Sequence, residues 1–440
     1  MEPLSWRALS ALLLALFAVS VGYSIVLPIL PFLIERLAGK TDPATLSWHT
    51  GLLTGTYALA IFLFAPFWGK LSDWWARRTV VLLGLIGLAA TLGLFALLES
   101  LPLLYIGRFL DGIFAAAISP AAYALVGDHS PSKKWRAYRF TLLNVAATAG
   151  FFVGPLLGGL VLRAGRKLTS VQGGEFFSAP FLAASSLALL AALMTWGFVT
   201  DATQRRMNKG TTYDIPDKQA IMVRLGAIAF VSTLAIGVFE VGLSLRGKQT
   251  LGLDAYQIGM IFAECSIVMF VAQVVVFSPL LKADVTRWLL TPGLIALASG
   301  LILVPLANGY VAMTAAVALI AASAGILSPI VTYWVSLSAG EMEGADLGRL
   351  TAAASLGQVL GSVAGGLLFN VSILPGATFN VSAIIVLAGV VASIGLPRLL
   401  ALQRDAGVAD ARAEAISIPS ADHTATEAAI GAQRHPHEHG

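Results

Sequence analysis

Charged residues and cysteines are both scarce in this sequence. Asp, Glu, Lys and Arg make up only 12% of the 440 residues, against about 25% in an ordinary soluble domain. Hydrophobic residues make up 57%, which is more apolar surface than a water-soluble fold buries but suits a lipid bilayer. A single cysteine, Cys265, excludes an intrachain disulfide. The composition therefore predicts a membrane protein.

The sequence also lacks the local motifs of hydrolases and of nucleotide-driven pumps. It contains no HExxH pair, no GxSxG turn and no GxxxxGK[ST] loop, so we expect neither enzyme activity nor a cofactor. Lys and Arg (28) barely outnumber Asp and Glu (24), which gives no reason to expect a nucleic-acid partner.

Four of the six histidines lie near the end of the chain: His423, His435, His437 and His439. Such a run can bind a transition metal, but we expect a disordered end without a metal site.

Long apolar runs occupy most of the chain. A membrane-spanning helix needs about 20 apolar residues. Twelve such runs lie at 8–34, 50–69, 79–98, 102–127, 138–163, 178–199, 221–246, 255–281, 288–307, 310–338, 348–370 and 374–397. The first is too long for the core of a cleavable signal peptide, so we take it as the first span. The prediction is an all-α membrane protein with twelve transmembrane helices.

The polar stretch 200–220 is the longest break between spans and divides them six plus six. We therefore expect an N-terminal six-helix bundle at 1–199, a cytoplasmic linker at 200–220 and a C-terminal bundle at 221–397. The polar, Ala-rich segment 398–440 is expected to be a mobile tail.

The two halves repeat a pattern of glycines. GFFVGPLLGG at 150–159 and GQVLGSVAGG at 357–366 place their glycines at the same spacing, and Ser119-Pro120 is repeated by Ser328-Pro329. Such repeats predict two pseudo-symmetric bundles, as in transporters that rock one half against the other around a central site.

Most Lys and Arg residues outside the spans lie in loops that share one side of the predicted membrane. The positive-inside rule places that side in the cytoplasm, together with both termini. We accordingly expect a multi-pass protein of the cell inner membrane.

The segment GKLSDWWARRTVV at 69–81 joins the second and third predicted spans. It resembles the loop motif of the major facilitator superfamily at Gly69, Asp73, Arg77 and Arg78, although Trp74 stands where that family usually has a basic residue. An acid and two cations at helix ends can form charge pairs that stabilise one conformation. The resemblance implies a conformational latch on the cytoplasmic side; the alternative is a generic positively charged loop.

YIGRFLDGIFAA at 105–116 resembles a fourth-helix motif of the same superfamily, with Arg108 in place and Asp111 where Gln is commoner. The two residues share one helix face at i, i+3 and are expected to pair. Each charge inside a span costs about 2.5–3.5 kcal/mol on insertion scales, so such residues are functional by default. A purely structural ion pair is the alternative.

The fifth-span sequence GFFVGPLLGG matches the gxxxGPxxGG pattern of the superfamily's drug:proton antiporters at every fixed position. Those positions are Gly150, Gly154, Pro155, Gly158 and Gly159. Small residues every fourth position make a face for close helix packing, and the proline allows a bend.

GYSIVLPILP at 22–31 resembles the first-helix motif of the twelve-span members of that antiporter family, with Pro28 and Pro31 matching. The resemblance covers the first half specifically and the second half mainly by topology.

Two further acids lie inside spans, Glu240 in the seventh and Glu264 in the eighth. A carboxyl group in a low-dielectric medium keeps its proton until a partner or water favours release, as a proton-coupled carrier requires. Asp111, Glu240 and Glu264, with Arg108 tuning Asp111, are therefore the candidate proton-coupling residues. The alternative for Glu264 is a position close to the outer surface or against a neighbouring helix.

Four further polar residues are candidates to contact a substrate in a central cavity, although core packing would explain each equally well: Tyr57, Tyr123, Asn144 and Tyr333.

The resemblance implies a monomeric secondary transporter that works by alternating access, exchanging protons for a small amphipathic organic molecule or drug. A specific metabolite or siderophore exporter, or an importer, is the alternative. The alternatives from other classes are a non-transporting membrane receptor and a membrane-embedded enzyme.

Overall fold

A computed structural model describes residues 4–39, 42–129, 133–168, 178–200, 218–276, 283–339, 343–371 and 376–401. The α-helices in these ranges are α1 (Trp6–Ser24), α2 (Leu30–Ala38), α3 (Pro43–Trp74), α4 (Arg77–Phe95), α5 (Leu101–Asp128), α6 (Lys133–Leu168), α7 (Ser178–Phe198), α8 (Lys218–Gln249), α9 (Ala255–Val276), α10 (Leu290–Leu303), α11 (Tyr310–Ala339), α12 (Glu343–Leu367) and α13 (Ala377–Ser393). Short 3-10 helices, Ala283–Leu289 and Val304–Leu306, flank α10.

Within the described ranges, 11 helical segments are long and apolar enough to cross a membrane. The shorter apolar helix α13 follows them, so the order of elements agrees with the twelve predicted spans. Because the spans alternate in direction, α1 begins and α13 ends on one side, which we name the terminal side. The opposite side, with the α2–α3, α8–α9 and α12–α13 connections, is the far side.

The first span consists of two helices and not of one continuous helix as predicted. α1 ends at Ser24, α2 begins at Leu30, and Pro28 lies in the turns between them. Pro31 occupies the first turn of α2, where the missing N–H removes no helical hydrogen bond. In α6, by contrast, the helix continues through Pro155.

The second span is longer than the predicted 50–69. α3 begins at Pro43, where the Asp42 side chain caps the helix by accepting a hydrogen bond from the Thr45 N–H at 3.1 Å. It ends only at Trp74, so the connection to α4 is two residues long, Trp75 and Ala76. Residues 70–74, which the sequence predicts in the loop between the second and third spans, are therefore helical.

Glycine-lined faces bring helices of the same half together. A Cβ at Gly154 of α6 would lie 2.9 Å from the carbonyl oxygen of Val21 in α1. A Cβ at Gly361 of α12 would lie 2.9 Å from the Cα of Leu234 in α8. These distances leave no room for a side chain, so the repeated glycines serve the same packing role in both halves.

Contacts between the halves use the same two helices together with α3 and α9. A Cβ at Gly51 of α3 would lie 2.7 Å from the Cα of Gly366 in α12. On the other flank, a Cβ at Gly159 of α6 would lie 2.8 Å from the Cα of Tyr256 in α9. The halves therefore meet backbone to backbone along two seams, α3–α12 and α6–α9.

Polar contacts close the two halves on the far side. Lys248 at the end of α8 forms an ion pair with Glu35 of α2 and donates to the Pro31 carbonyl at 3.0 Å. Asn370, just after α12, donates to the Pro43 carbonyl at 2.6 Å and to the Ser47 hydroxyl at 2.5 Å. We refer to these contacts as the far-side closure.

Candidate functional site

Arg108 and Asp111 form a fully buried ion pair within α5. Arg108 Nη1 donates to Asp111 Oδ2 at 3.1 Å, so the pairing predicted from the i, i+3 spacing is confirmed. The Thr91 hydroxyl of α4 donates to the other carboxylate oxygen at 3.3 Å. Asp111 is thus balanced by a cation in direct contact, and both of its partners come from the first half of the chain.

Two stacked tyrosine rings extend this pair towards the second half. The rings of Tyr23 in α1 and Tyr57 in α3 have centroids 4.9 Å apart and an interplanar angle of 28°. The guanidinium carbon of Arg108 lies 4.6 Å from the Tyr57 centroid and 5.8 Å from the Tyr23 centroid. Cation–π attraction therefore supplements the single ion pair that holds Arg108 in the membrane interior.

Glu240 of α8 is the buried acid of the second half, with 3% of its surface exposed. Its Oε2 accepts hydrogen bonds from the Tyr23 hydroxyl at 2.5 Å and from the Gln358 amide of α12 at 2.7 Å. Gln358 also donates to the Tyr23 oxygen at 3.2 Å. No cation within the described ranges pairs with Glu240, so neutral donors hold it.

These contacts form one continuous group, which we name the central polar cluster. Its members are Thr91, Asp111, Arg108, Tyr57, Tyr23, Glu240 and Gln358. The cluster passes from the first half to the second at the Tyr23–Glu240 hydrogen bond. Two carboxyl groups that the sequence places in different bundles are thereby joined through side chains alone.

The cluster suits proton transfer better than any bond-breaking reaction. A buried carboxyl group changes its ionisation when its hydrogen-bond partners, a nearby cation or water change. A motion of one half against the other would alter these partners at Glu240, whereas the Asp111 partners would move with it.

Glu264, the third candidate acid, lies outside the cluster. It is half-buried in α9 and forms no hydrogen bond or ion pair with the described residues. Its electrostatic neighbours are Cys265 and Tyr310. The structure thus brings together two of the three predicted acids.

Tyr57 is the one predicted cavity residue that belongs to the cluster. The hydroxyl of Tyr123 in α5 donates to Asn144 Oδ1 of α6 at 2.8 Å, and Asn144 is exposed. Tyr333 of α11 makes an edge-on ring contact with Trp334, with centroids 5.5 Å apart. The described contacts of these three residues do not reach the cluster.

The predicted latch residues make contacts inside the first half. Arg77 at the start of α4 pairs with Asp128 at the end of α5 at 2.7 Å. Arg78 donates to the Trp196 carbonyl of α7 at 2.5 Å. The side chain of Asp73 lies outside the described part of the structure, as do most of the 200–220 linker and the tail beyond residue 401.

The sequence model of the Major Facilitator Superfamily matches residues 12–276, well over half of the chain. The chain belongs to the major facilitator superfamily. It is therefore a membrane transporter and not an enzyme.

Curated relatives align with more than four fifths of this transporter. Multidrug resistance protein 1 of Bacillus subtilis is 25% identical over 374 residues, which cover 83% of this chain and 90% of the relative. Multidrug resistance protein 2 of the same organism is 26% identical, with 82% and 88% covered. Quinolone resistance protein NorA of Staphylococcus aureus is 24% identical, with 81% and 89% covered.

Solved structures confirm the predicted fold. The human organic anion transporter MFSD10 (TETRAN) has a TM-score of 0.67 at 19% identity, covering 88% of this chain and 99% of that one. A bacterial homolog of the human lysosomal transporter Spinster has a TM-score of 0.64 at 15% identity, covering 92% and 98%. At these identities the likeness concerns the arrangement of helices.

Three members of the cluster were missed by sequence reasoning: Tyr23, Thr91 and Gln358. Each is a polar residue of a type common in ordinary helix packing, and its partner is distant in the chain. Gln358 did carry a signal, because it interrupts the glycine-lined face between Gly357 and Gly361 with a long amide. Tyr23 follows Gly22 directly in the first-helix motif.

Proposed function

We propose that this transporter exports a small amphipathic organic molecule in exchange for protons, working as a monomer by alternating access. The bundles 1–199 and 221–397 rock about the central polar cluster and are joined by the linker 200–220. Both termini, including the tail 398–440, lie in the cytoplasm, and the protein resides in the cell inner membrane.

The Tyr23–Glu240 hydrogen bond carries this proposal. It places an ionisable group of one half directly on a contact that rocking must break. Since the proton affinity of a carboxyl group depends on its hydrogen-bond partners, the ionisation of Glu240 becomes linked to conformation. An acid bonded only within its own half would lack that link.

The other predicted residues take supporting roles. Asp111 senses charge through Arg108 and the tyrosine rings, while Glu264 stands as a further proton-coupling candidate in α9. Asp73, Arg77 and Arg78 stabilise one conformation on the cytoplasmic side, with the Arg77–Asp128 ion pair tying α4 to α5.

The far-side closure supports an assignment of the conformation. With the termini in the cytoplasm, the far side faces outward, and contacts such as Lys248–Glu35 seal it. Tyr123 and Asn144, with Asn144 exposed, lie in the terminal-side portions of α5 and α6. We accordingly describe this state as open to the cytoplasm.

The printed names of the relatives support a drug-like cargo. Two are multidrug resistance proteins and one is a quinolone resistance protein. A fluorescent quinolone is therefore a rational first probe, followed by a thermal-shift screen of the purified protein against metabolites and drugs.

Everted membrane vesicles with an acidified lumen test the proposal. They should accumulate the fluorescent quinolone, and a protonophore should abolish the accumulation. Vesicles that contain the Glu240→Gln variant at equal abundance should equilibrate the probe without concentrating it. Equal accumulation by the parent protein with and without the proton gradient would refute proton coupling.

A further inference from the structure

Glu240 receives its two hydrogen bonds from different halves of the molecule. Gln358 lies in α12, and α12 packs tightly against α8, so the amide moves together with Glu240. Tyr23 lies in α1, which packs on α6 through the glycine-lined face of the first half. Rocking of the halves therefore removes the Tyr23 bond and leaves the Gln358 bond in place.

Hydrogen bonds to an ionised carboxylate are shorter and about twice as strong as those between neutral groups. The Tyr23 hydroxyl consequently favours the ionised form of Glu240, but only while the halves are in contact at this level. The same linkage requires that an ionised Glu240 favours that contact.

Other groups act on Glu240 without replacing this bond. Arg108 of α5 interacts with it electrostatically, and its guanidinium carbon is 5.8 Å from the Tyr23 centroid. Cys265 of α9 is the titratable neighbour on the next helix. On α13, the residue that packs near this point is Phe379, which lies against Gly242, two residues beyond Glu240 in α8. Tyr23 is thus the donor to Glu240 that comes from the opposite half.

We propose that Tyr23 is a positioning residue that makes proton release from Glu240 conditional on the far-side closure. When the far side closes, the Tyr23 hydroxyl reaches Glu240 Oε2, the ionised form is favoured, and the proton leaves towards the open terminal side. When the halves separate, the donor is withdrawn and Glu240 takes up a proton again. Gln358 orients the carboxylate in both states. This inference rests on the proposed proton exchange.

Spin labels across the far side test the inference without any substrate. Ala38 and Thr250 are exposed at the ends of α2 and α8, and can be changed to cysteine in a Cys265→Ala background. Their distance distribution, measured by pulsed electron resonance from about pH 5 to pH 9, reports the ratio of closed to open molecules. In the parent protein the ratio of closed to open molecules should rise with pH. The rise should be about tenfold, because the Tyr23 hydroxyl makes a charge-assisted hydrogen bond to ionised Glu240 and only a weaker, neutral one to protonated Glu240.

Tyr23→Phe keeps the ring that stacks on Tyr57 and removes only the donor. In this variant the pH dependence should flatten to less than about threefold. Tyr105→Phe is the matched control, because it also removes only a tyrosine hydroxyl, whose partner His49 at 2.9 Å belongs to the same half and lies outside the central polar cluster. Its loss should leave the labelled titration unchanged. Gln358→Leu should keep the dependence but shift its midpoint upward by about one pH unit.

The results of these titrations distinguish a failure of the role proposed for Tyr23 from a failure of the proposed proton exchange. An unchanged titration in Tyr23→Phe would overturn the role of Tyr23 whether or not vesicles concentrate the quinolone. A flattened titration supports it, even if the cargo exchanged for protons proves to be another molecule. A parent ratio that does not vary with pH would contradict both claims.

Discussion

The two halves of this transporter share a packing pattern and differ in the way each holds its buried acid. Gly154 of α6 and Gly361 of α12 sit against the first long helix of their own halves in the same manner. Asp111, however, is balanced by Arg108 within α5, whereas Glu240 is bonded by neutral donors, one of them from the opposite half. A symmetric scaffold thus supports an asymmetric site, and the acid on the moving contact is the one suited to coupling.

The largest effect is expected from breaking the shared packing. Leu at position 154 or 361 would clash with the backbone of α1 or α8, and overpacking of this kind costs about 1–3 kcal/mol or more. Both variants should abolish transport in the vesicle assay. Gly197→Leu in α7 is the matched control, since nothing lies within 4 Å of a Cβ there, and it should transport normally. Loss in only one of the two glycine variants would show that the faces are not equivalent.

Neutralising the acid between the halves should affect coupling more than folding. Glu240→Gln can still interact with Tyr23 and Gln358, so the variant should be expressed and should bind the quinolone. It should lose accumulation against a gradient and lose the pH dependence of transport. Substrate binding by fluorescence polarisation, compared with gradient-driven uptake at several pH values, checks this split. Parallel loss of both activities would indicate a structural role for Glu240.

Neutralising the paired acid should affect folding more than coupling. Asp111→Asn leaves Arg108 buried without its counter-ion, and removing one partner of a buried ion pair costs about 3–5 kcal/mol. The melting temperature in detergent should therefore fall further than for Glu240→Gln. Asp111→Asn combined with Arg108→Gln should recover part of that loss. If the single variant is as stable as the parent protein, the pair does not hold α5 in the way that its geometry indicates.

The smallest effect is expected at the edge of the far-side closure. Glu35→Gln removes the charge that pairs with Lys248 and leaves the hydrogen bond from Lys248 to the Pro31 carbonyl in place; the ion pair is partly exposed and worth about 1 kcal/mol or less. The closed fraction of the spin-labelled protein should fall by no more than about fivefold. Arg7→Gln, at an exposed site at the start of α1 on the terminal side, should leave it unchanged. A complete opening of the far side would mean that the Lys248–Glu35 pair, and not the glycine seams, holds the halves together.

The fold was predictable because apolar runs and glycine spacing are local properties of the chain. The runs placed the spans, and the motif around Arg108 and Asp111 predicted a pair that the structure contains. Helix ends were less certain: hydropathy did not reveal that α3 starts at the Asp42 cap or that Pro28 divides the first span.

The central polar cluster was only half predictable. Acids inside spans are conspicuous, so Asp111 and Glu240 were found from the sequence. Tyr23 and Gln358 are not conspicuous, and their contacts with Glu240 join residues far apart in the chain. Only the packing of α1, α8 and α12 around one point shows that a tyrosine of one half completes the environment of an acid in the other.

The proton balance of substrate binding tests the central claim most directly. Purified protein in weakly buffered detergent solution is mixed with the fluorescent quinolone while the pH of the medium is recorded. Below the midpoint of the spin-label titration, where Glu240 still holds its proton, the parent protein should release protons in proportion to the quinolone bound, because occupancy of the site and protonation of Glu240 compete. Glu240→Gln should bind without release. Binding by the parent protein without any release of protons would contradict the exchange mechanism.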